Sequence, residues 1–164
     1  MVKRISKIIA RSIMGLILIL LVVESSFIIP AYFNLIFDAH AIASKGARKN
    51  YVSSQDVVDL KANITKGNTD NRYGTITVVT TVENVEIYGN RTYNKGDTYP
   101  IQNNLPASNT LQRGDTYVLK VEAVYYFLMP DMFGINWSNR RTGVPMTLSY
   151  EVPITCLKFL KEIR

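Results

Sequence analysis

The chain has two hydrophobic patterns. Residues Ser12 to Val23 read SIMGLILILLVV, almost unbroken apolar sequence, and after Glu24, Ser25 and Ser26 the apolar character resumes through Phe37. About 20 apolar residues in a helix cross the ~30 Å hydrocarbon core of a bilayer. The pattern therefore predicts a membrane helix over roughly Ile9 to Ile29, leaving the bilayer between Pro30 and Phe37. Pro30 removes one helical hydrogen bond and frees the carbonyl of Ser26. The Ser25 and Ser26 hydroxyls can satisfy nearby backbone groups, so a kink is expected there and not a stop. Further on, Leu35, Ala39, Ile42 and Ala43 recur at three- and four-residue spacing, which continues the helix. Ser53 with Asp56 has the form of a capping box, and a second short helix is expected through Ile64, ending before Gly67.

From Tyr73 the period shortens to two. YGTITVVTTVENVEIY is rich in β-branched residues and reads as strand. A type II′ turn is expected at Gly89-Asn90 and another turn at Asn94-Lys95-Gly96-Asp97. Residues 100–112 read as irregular loop. In the next strand, Tyr117, Leu119, Val121, Ala123, Tyr125 and Phe127 share one face. In the last, Leu148, Tyr150, Val152 and Ile154 do the same. Pro153 cannot donate to a ladder, which points to an edge strand. The excursion between these two strands holds Met129, Met132, Phe133 and Trp137, either core cover or an apolar contact surface. CLKFLKEIR at the C-terminus is able to form a short amphipathic turn. The sum is an α+β fold: a long N-terminal transmembrane helix and stalk, then a small antiparallel β-sheet domain. The expected division is a basic tail and membrane helix over 1–37, a helical stalk over 38–66 and an extracytoplasmic β-domain over 67–164.

Charge refines this picture. Lys3, Arg4, Lys7 and Arg11 supply four of the net six positive charges. The basic excess belongs to the tail, which argues against a nucleic-acid-binding face. A basic flank ahead of the span favours a cytoplasmic N-terminus and an extracytoplasmic C-terminal domain. One cysteine, Cys156, allows no intrachain disulfide and reads as a small buried apolar residue. His40 is the single histidine and has no ligand-spaced neighbour for a metal. No phosphate loop, zinc motif or nucleophile–base arrangement is present, so no enzyme activity, cofactor, metal or small-molecule substrate is expected. Arg113-Gly114-Asp115 sits just before a strand, where Gly-Asp turns are common.

Glu24 is the position that asks for a function. A carboxylate in such a helix costs about 2.5–3.5 kcal/mol on insertion scales, which a simple anchor does not need. A partner for it is expected, within the membrane or an assembly of helices. Val23-Glu24-Ser25-Ser26-Phe27-Ile28-Ile29-Pro30 keeps a Val-Glu pair and a six-residue interval to proline. An Ala-rich helix, a Gly-Ala-Arg segment and a second short helix follow, then the aromatic strand GDTYVLKVEAVYYFLMPDMF. This ordered set resembles the TadE-like minor pilins and pseudopilins of the type IV pilin superfamily.

The resemblance implies a structural subunit of a surface filament or of a secretion or conjugation apparatus. Such a subunit assembles through Glu24, Pro30, Ser25 and Ser26 with itself or related pilin-like subunits, and passes from the membrane into an extracellular filament. In that family a glycine precedes the mature N-terminus. The equivalent boundary here, Ile19–Leu20, has none, which leaves open an uncleaved pseudopilin-like protein and a processed pilin. The alternative is a monomeric, single-pass, membrane-anchored binding or accessory protein, with the 129–145 excursion as its ligand surface.

Overall fold

The structure is a computed structural model that describes residues 2–66, 72–85, 93–103, 110–127 and 144–159. Helix α1 (Val2–Lys49) is followed by α2 (Ser54–Lys66), then β1 (Tyr73–Asn84), β2 (Thr116–Phe127) and β3 (Val144–Thr155). The three strands form an antiparallel sheet in the order β1-β2-β3. The α+β class and the small antiparallel sheet agree with the sequence pattern. Met129, Met132, Phe133, Trp137 and the Gly89-Asn90 turn lie outside the described residues.

Helix α1 is about 72 Å long at 1.5 Å per residue and runs without a break through Pro30. Ser25 Oγ donates to the Leu21 carbonyl at 2.7 Å. Ser26 Oγ donates to the Val22 and Val23 carbonyls at 3.2 and 2.6 Å. Both hydroxyls thus serve the turn before the Ser26 carbonyl that the proline frees. The helix stops at Asn50, whose φ of 64° is left-handed, a common way to end a helix. Arg48 and Lys49 in the last turn suit the negative end of its dipole.

Asn50 also ties three segments together. Its Nδ2 donates to the Leu111 carbonyl at 2.9 Å, and its Oδ1 accepts the Lys158 N–H at 3.0 Å. Its own carbonyl accepts the Tyr99 hydroxyl at 2.8 Å. The segment after β3 therefore runs extended against the end of α1, with Leu157 N–H donating to the Ala47 carbonyl at 2.9 Å. Residues 156–159 form no helical turn; backbone bonds to α1 take precedence over the weak amphipathic pattern there.

The capping box at the start of α2 is formed. Asp56 N–H donates to Ser53 Oγ at 3.2 Å, and Ser53 N–H donates back to Asp56 Oδ2 at 3.2 Å. Burial raises the Asp56 pKa, but the Ser53 hydrogen bonds and the Lys49 ammonium 3.2 Å away outweigh it. The net effect holds this carboxyl below the usual aspartate value.

In the sheet, Tyr117, Leu119, Val121, Ala123 and Tyr125 of β2 are buried, as are Leu148, Val152 and Ile154 of β3. Strand β3 lies at the edge, and Pro153 pairs with Val118. The cover for this apolar face comes from Ala31, Leu35, Ala39, Ile42 and Ala43 of α1 and from Leu60 and Ile64 of α2. Small residues let the helix come close. A Cβ added at Gly46 would stand 2.6 Å from the Tyr117 hydroxyl. The Arg113-Gly114-Asp115 turn is structural: Gly114 has φ 95°, and Asp115 is buried with its carboxylate accepting the Gln112 N–H at 2.6 Å.

Candidate functional site

The candidate site is the place where α1 passes from bare to covered. From Arg4 to Ile19 no side chain of the helix is fully buried; Leu20 and Glu24, one turn apart, are the first that are. The apolar residues before that point face outward: Ile8 is 62% exposed, Met14 66% and Val22 70%. By length and composition, α1 contains a stretch apolar enough to cross a membrane.

Glu24 is only 6% exposed and meets a cation of its own chain. Its Oε2 lies 3.2 Å from a terminal guanidinium nitrogen of Arg72, which is 3% exposed. The same nitrogen donates to the Tyr125 hydroxyl at 3.1 Å. The guanidinium plane rests on the Phe27 ring, 4.3 Å from its centroid. Arg72 is held in turn by the sheet, since its carbonyl accepts the Tyr126 N–H at 2.9 Å. Tyr73, the next residue, donates its hydroxyl to the Ala31 carbonyl of α1 at 3.1 Å and packs edge-on against Tyr125. Burial, with smaller contributions from Tyr125 and Asp38, pushes the Tyr73 hydroxyl up to about 12, so it stays a donor at neutral pH.

This pair is an expensive arrangement. Removing two ions from water costs several kcal/mol each, and only close geometry with further hydrogen bonds repays it. Its value lies in register: one carboxylate and one guanidinium fix where along α1 the sheet begins. Sequence reasoning found Glu24 and the need for a partner. It missed Arg72, because nothing in the local sequence singles out one arginine among the chain's Lys and Arg residues. Ser25, Ser26 and Pro30 sit beside Glu24 on the exposed side of the helix and do not touch the ion pair through any hydrogen bond described above.

Above the junction, two open apolar clefts follow the seam between α1 and β3. The lower, about 520 Å³, is lined by Ile28, Ile29, Tyr32, Phe33, Met146 and Leu148. The upper, about 360 Å³, includes His40, Ala43, Ala47 and Ile154. Between them His40 Nε2 and the Tyr150 hydroxyl hydrogen-bond at 2.7 Å. The histidine thus has a structural tie to the edge strand. Cys156 is fully buried. Among the described residues, no group of three or more His, Cys, Asp and Glu gathers as a metal site would require.

Compared with protein-family models, curated proteins and solved structures, the chain matches none. The geometry of the site stands on its own.

Proposed function

We infer that this chain is a pilin-like structural subunit, of a surface filament or of a secretion or conjugation apparatus, that assembles through the bare half of α1. The observation that carries the reading is a single helix with two surroundings. In the outer half the sheet covers one side and leaves Phe27, Ile29, Phe33 and Phe37 exposed on the other, while residues 12–23 present Ile, Leu, Val and Met on nearly every side. A bare apolar helix needs lipid or other helices around it. With Glu24 held by Arg72 at the foot of the sheet, this reading assigns the bilayer to residues 5–23. That is earlier than the Ile9–Ile29 span expected from hydropathy. The N-terminus then lies in the cytoplasm and the sheet outside it.

The second reading, a monomeric membrane-anchored accessory protein, is favoured by one specific observation. Glu24 has a counter-charge within its own chain, so no neighbouring subunit is needed to satisfy it.

Cysteine cross-linking in native membranes separates the two. Single cysteines replace Ile13 and Ile17 in a Cys156→Ala background. A subunit gives a disulfide-linked dimer, the limit for one cysteine per chain, and electron microscopy of the surface fraction finds it in filaments or a complex. Monomer alone at both positions, with normal folding, refutes the subunit reading.

A further inference from the structure

The start of α1 holds a feature that the assembly reading does not use. Arg4, Lys7 and Arg11 are spaced i, i+3 and i+7, which at 100° per residue places them within about 60° of one helical face. All three are exposed. The other side of the same turns carries Ile5, Ile9 and Ile13, each at least half exposed. No acidic residue precedes Glu24 in the sequence, and among the described residues no carboxylate pairs with these three cations.

Length decides what the cations meet. Glu24, held by Arg72 just ahead of β1, sets the outer limit of the span in that reading. The uncharged stretch from Ser12 to Val23 rises only about 18 Å, well short of the ~30 Å hydrocarbon core. The missing depth has to come from the turns that carry Arg11 and Lys7. Their aliphatic stems lie along lipid tails while their heads reach back to the inner phosphate layer. A guanidinium there takes two phosphate oxygens at once. In a zwitterionic lipid that phosphate already has its own ammonium nearby; in an anionic lipid it does not.

We propose that Arg4, Lys7 and Arg11 form a headgroup-binding face that selects anionic phospholipid at the inner end of the span. This rests on the membrane reading above. The test uses the full chain with two kinds of vesicle, phosphatidylcholine alone and phosphatidylcholine with about a third phosphatidylglycerol. Flotation reports insertion. Electron spin resonance of spin-labelled lipids reports which headgroup sits against the protein. The wild type floats with both kinds, and phosphatidylglycerol is enriched several-fold at its surface. The variant R4Q/K7Q/R11Q floats equally well and loses the enrichment.

No enrichment for the wild type, or enrichment retained by the triple variant, overturns the proposal and leaves the membrane reading intact. Flotation with neither vesicle overturns both. Flotation only with phosphatidylglycerol vesicles, reversed by high salt, supports the headgroup face and overturns the span. Enrichment abolished by inorganic phosphate at millimolar concentration assigns the face to free phosphate and overturns the lipid assignment.

Discussion

The two halves of α1 are built from different residues because they face different surroundings. The half beneath the sheet is alanine-rich, with Ala31, Ala39, Ala41, Ala43 and Ala47 and a glycine at 46. The bare half carries large aliphatic side chains on nearly all sides from Ile13 to Val23. The two glycines make the contrast sharp. A Cβ on Gly15 meets nothing within 4 Å, whereas one on Gly46 would press on Tyr117. Small residues mark where the helix was shaped by its own sheet. Large ones stay exposed where the sheet does not reach. The boundary is electrostatic, since Glu24 accepts its counter-charge at the level where cover begins.

The largest effect expected from breaking this contrast is at that boundary. Arg72→Leu or Glu24→Leu leaves the other ion buried without this counter-charge, which costs about 3–5 kcal/mol. Urea denaturation of the full chain in detergent micelles, followed by tyrosine near-ultraviolet dichroism, measures it. The double variant E24L/R72L recovers most of the loss. If each single variant unfolds at the wild-type midpoint, the pair is not what docks the sheet.

Slightly smaller is a matched pair of truncations. Leu35→Ala, fully buried beneath the sheet, costs about 2–5 kcal/mol. Leu18→Ala in the bare half shifts the same transition by no more than about 0.5 kcal/mol. Equal losses at the two positions would erase the distinction between the halves.

The glycines refine it. Gly46→Ala overpacks the helix–sheet contact and costs about 1–3 kcal/mol, while Gly15→Ala leaves the sheet's stability unchanged. Among the described residues the buried Tyr117 hydroxyl has no hydrogen-bond partner. Tyr117→Phe alone is therefore close to neutral. G46A/Y117F folds better than G46A, because the hydroxyl that the new methyl strikes has gone. A double variant no better than G46A would show that the clash lies elsewhere.

The mildest effect belongs to the α2 cap. Asp56→Asn weakens the capping box by about 1 kcal/mol. The Asp56 pKa is depressed in the folded state, so its contribution is complete above the unfolded aspartate pKa. It is lost as pH falls through the lower, folded value. The wild-type stability curve should be steeper there than that of the variant, and parallel curves would remove Asp56 from the acid response.

The sequence was most readable where a physical rule is local. Alternation put Tyr117, Leu119 and Val121 on the buried face, a capping box announced α2, and Pro153 marked an edge. Each needs only neighbours in the chain. What escaped depends on contacts far apart in sequence. Arg72 is set 48 residues from Glu24, and its role follows from the antiparallel pairing of β1 with β2. Asn50 reads as one more polar residue until its left-handed backbone and its bonds to Leu111 and Lys158 are seen. The stacking of Phe27 on Arg72, beside Glu24, is another contact between distant segments. Hydropathy could not report this, because it does not distinguish a Phe that faces lipid from one that stacks on an arginine.

A depth scan along α1 tests the two-sided helix most directly. Nitroxide labels placed one at a time at exposed positions from Ile9 to Phe37, in Cys156→Ala chains reconstituted in vesicles, report oxygen against aqueous nickel accessibility. Labels at Ile9, Ile13, Ile17 and Val22 should favour oxygen, and those at Ser26, Phe33 and Phe37 should favour nickel, with the crossover at Glu24. A crossover displaced beyond Pro30, or nickel access along the whole helix, would contradict the account.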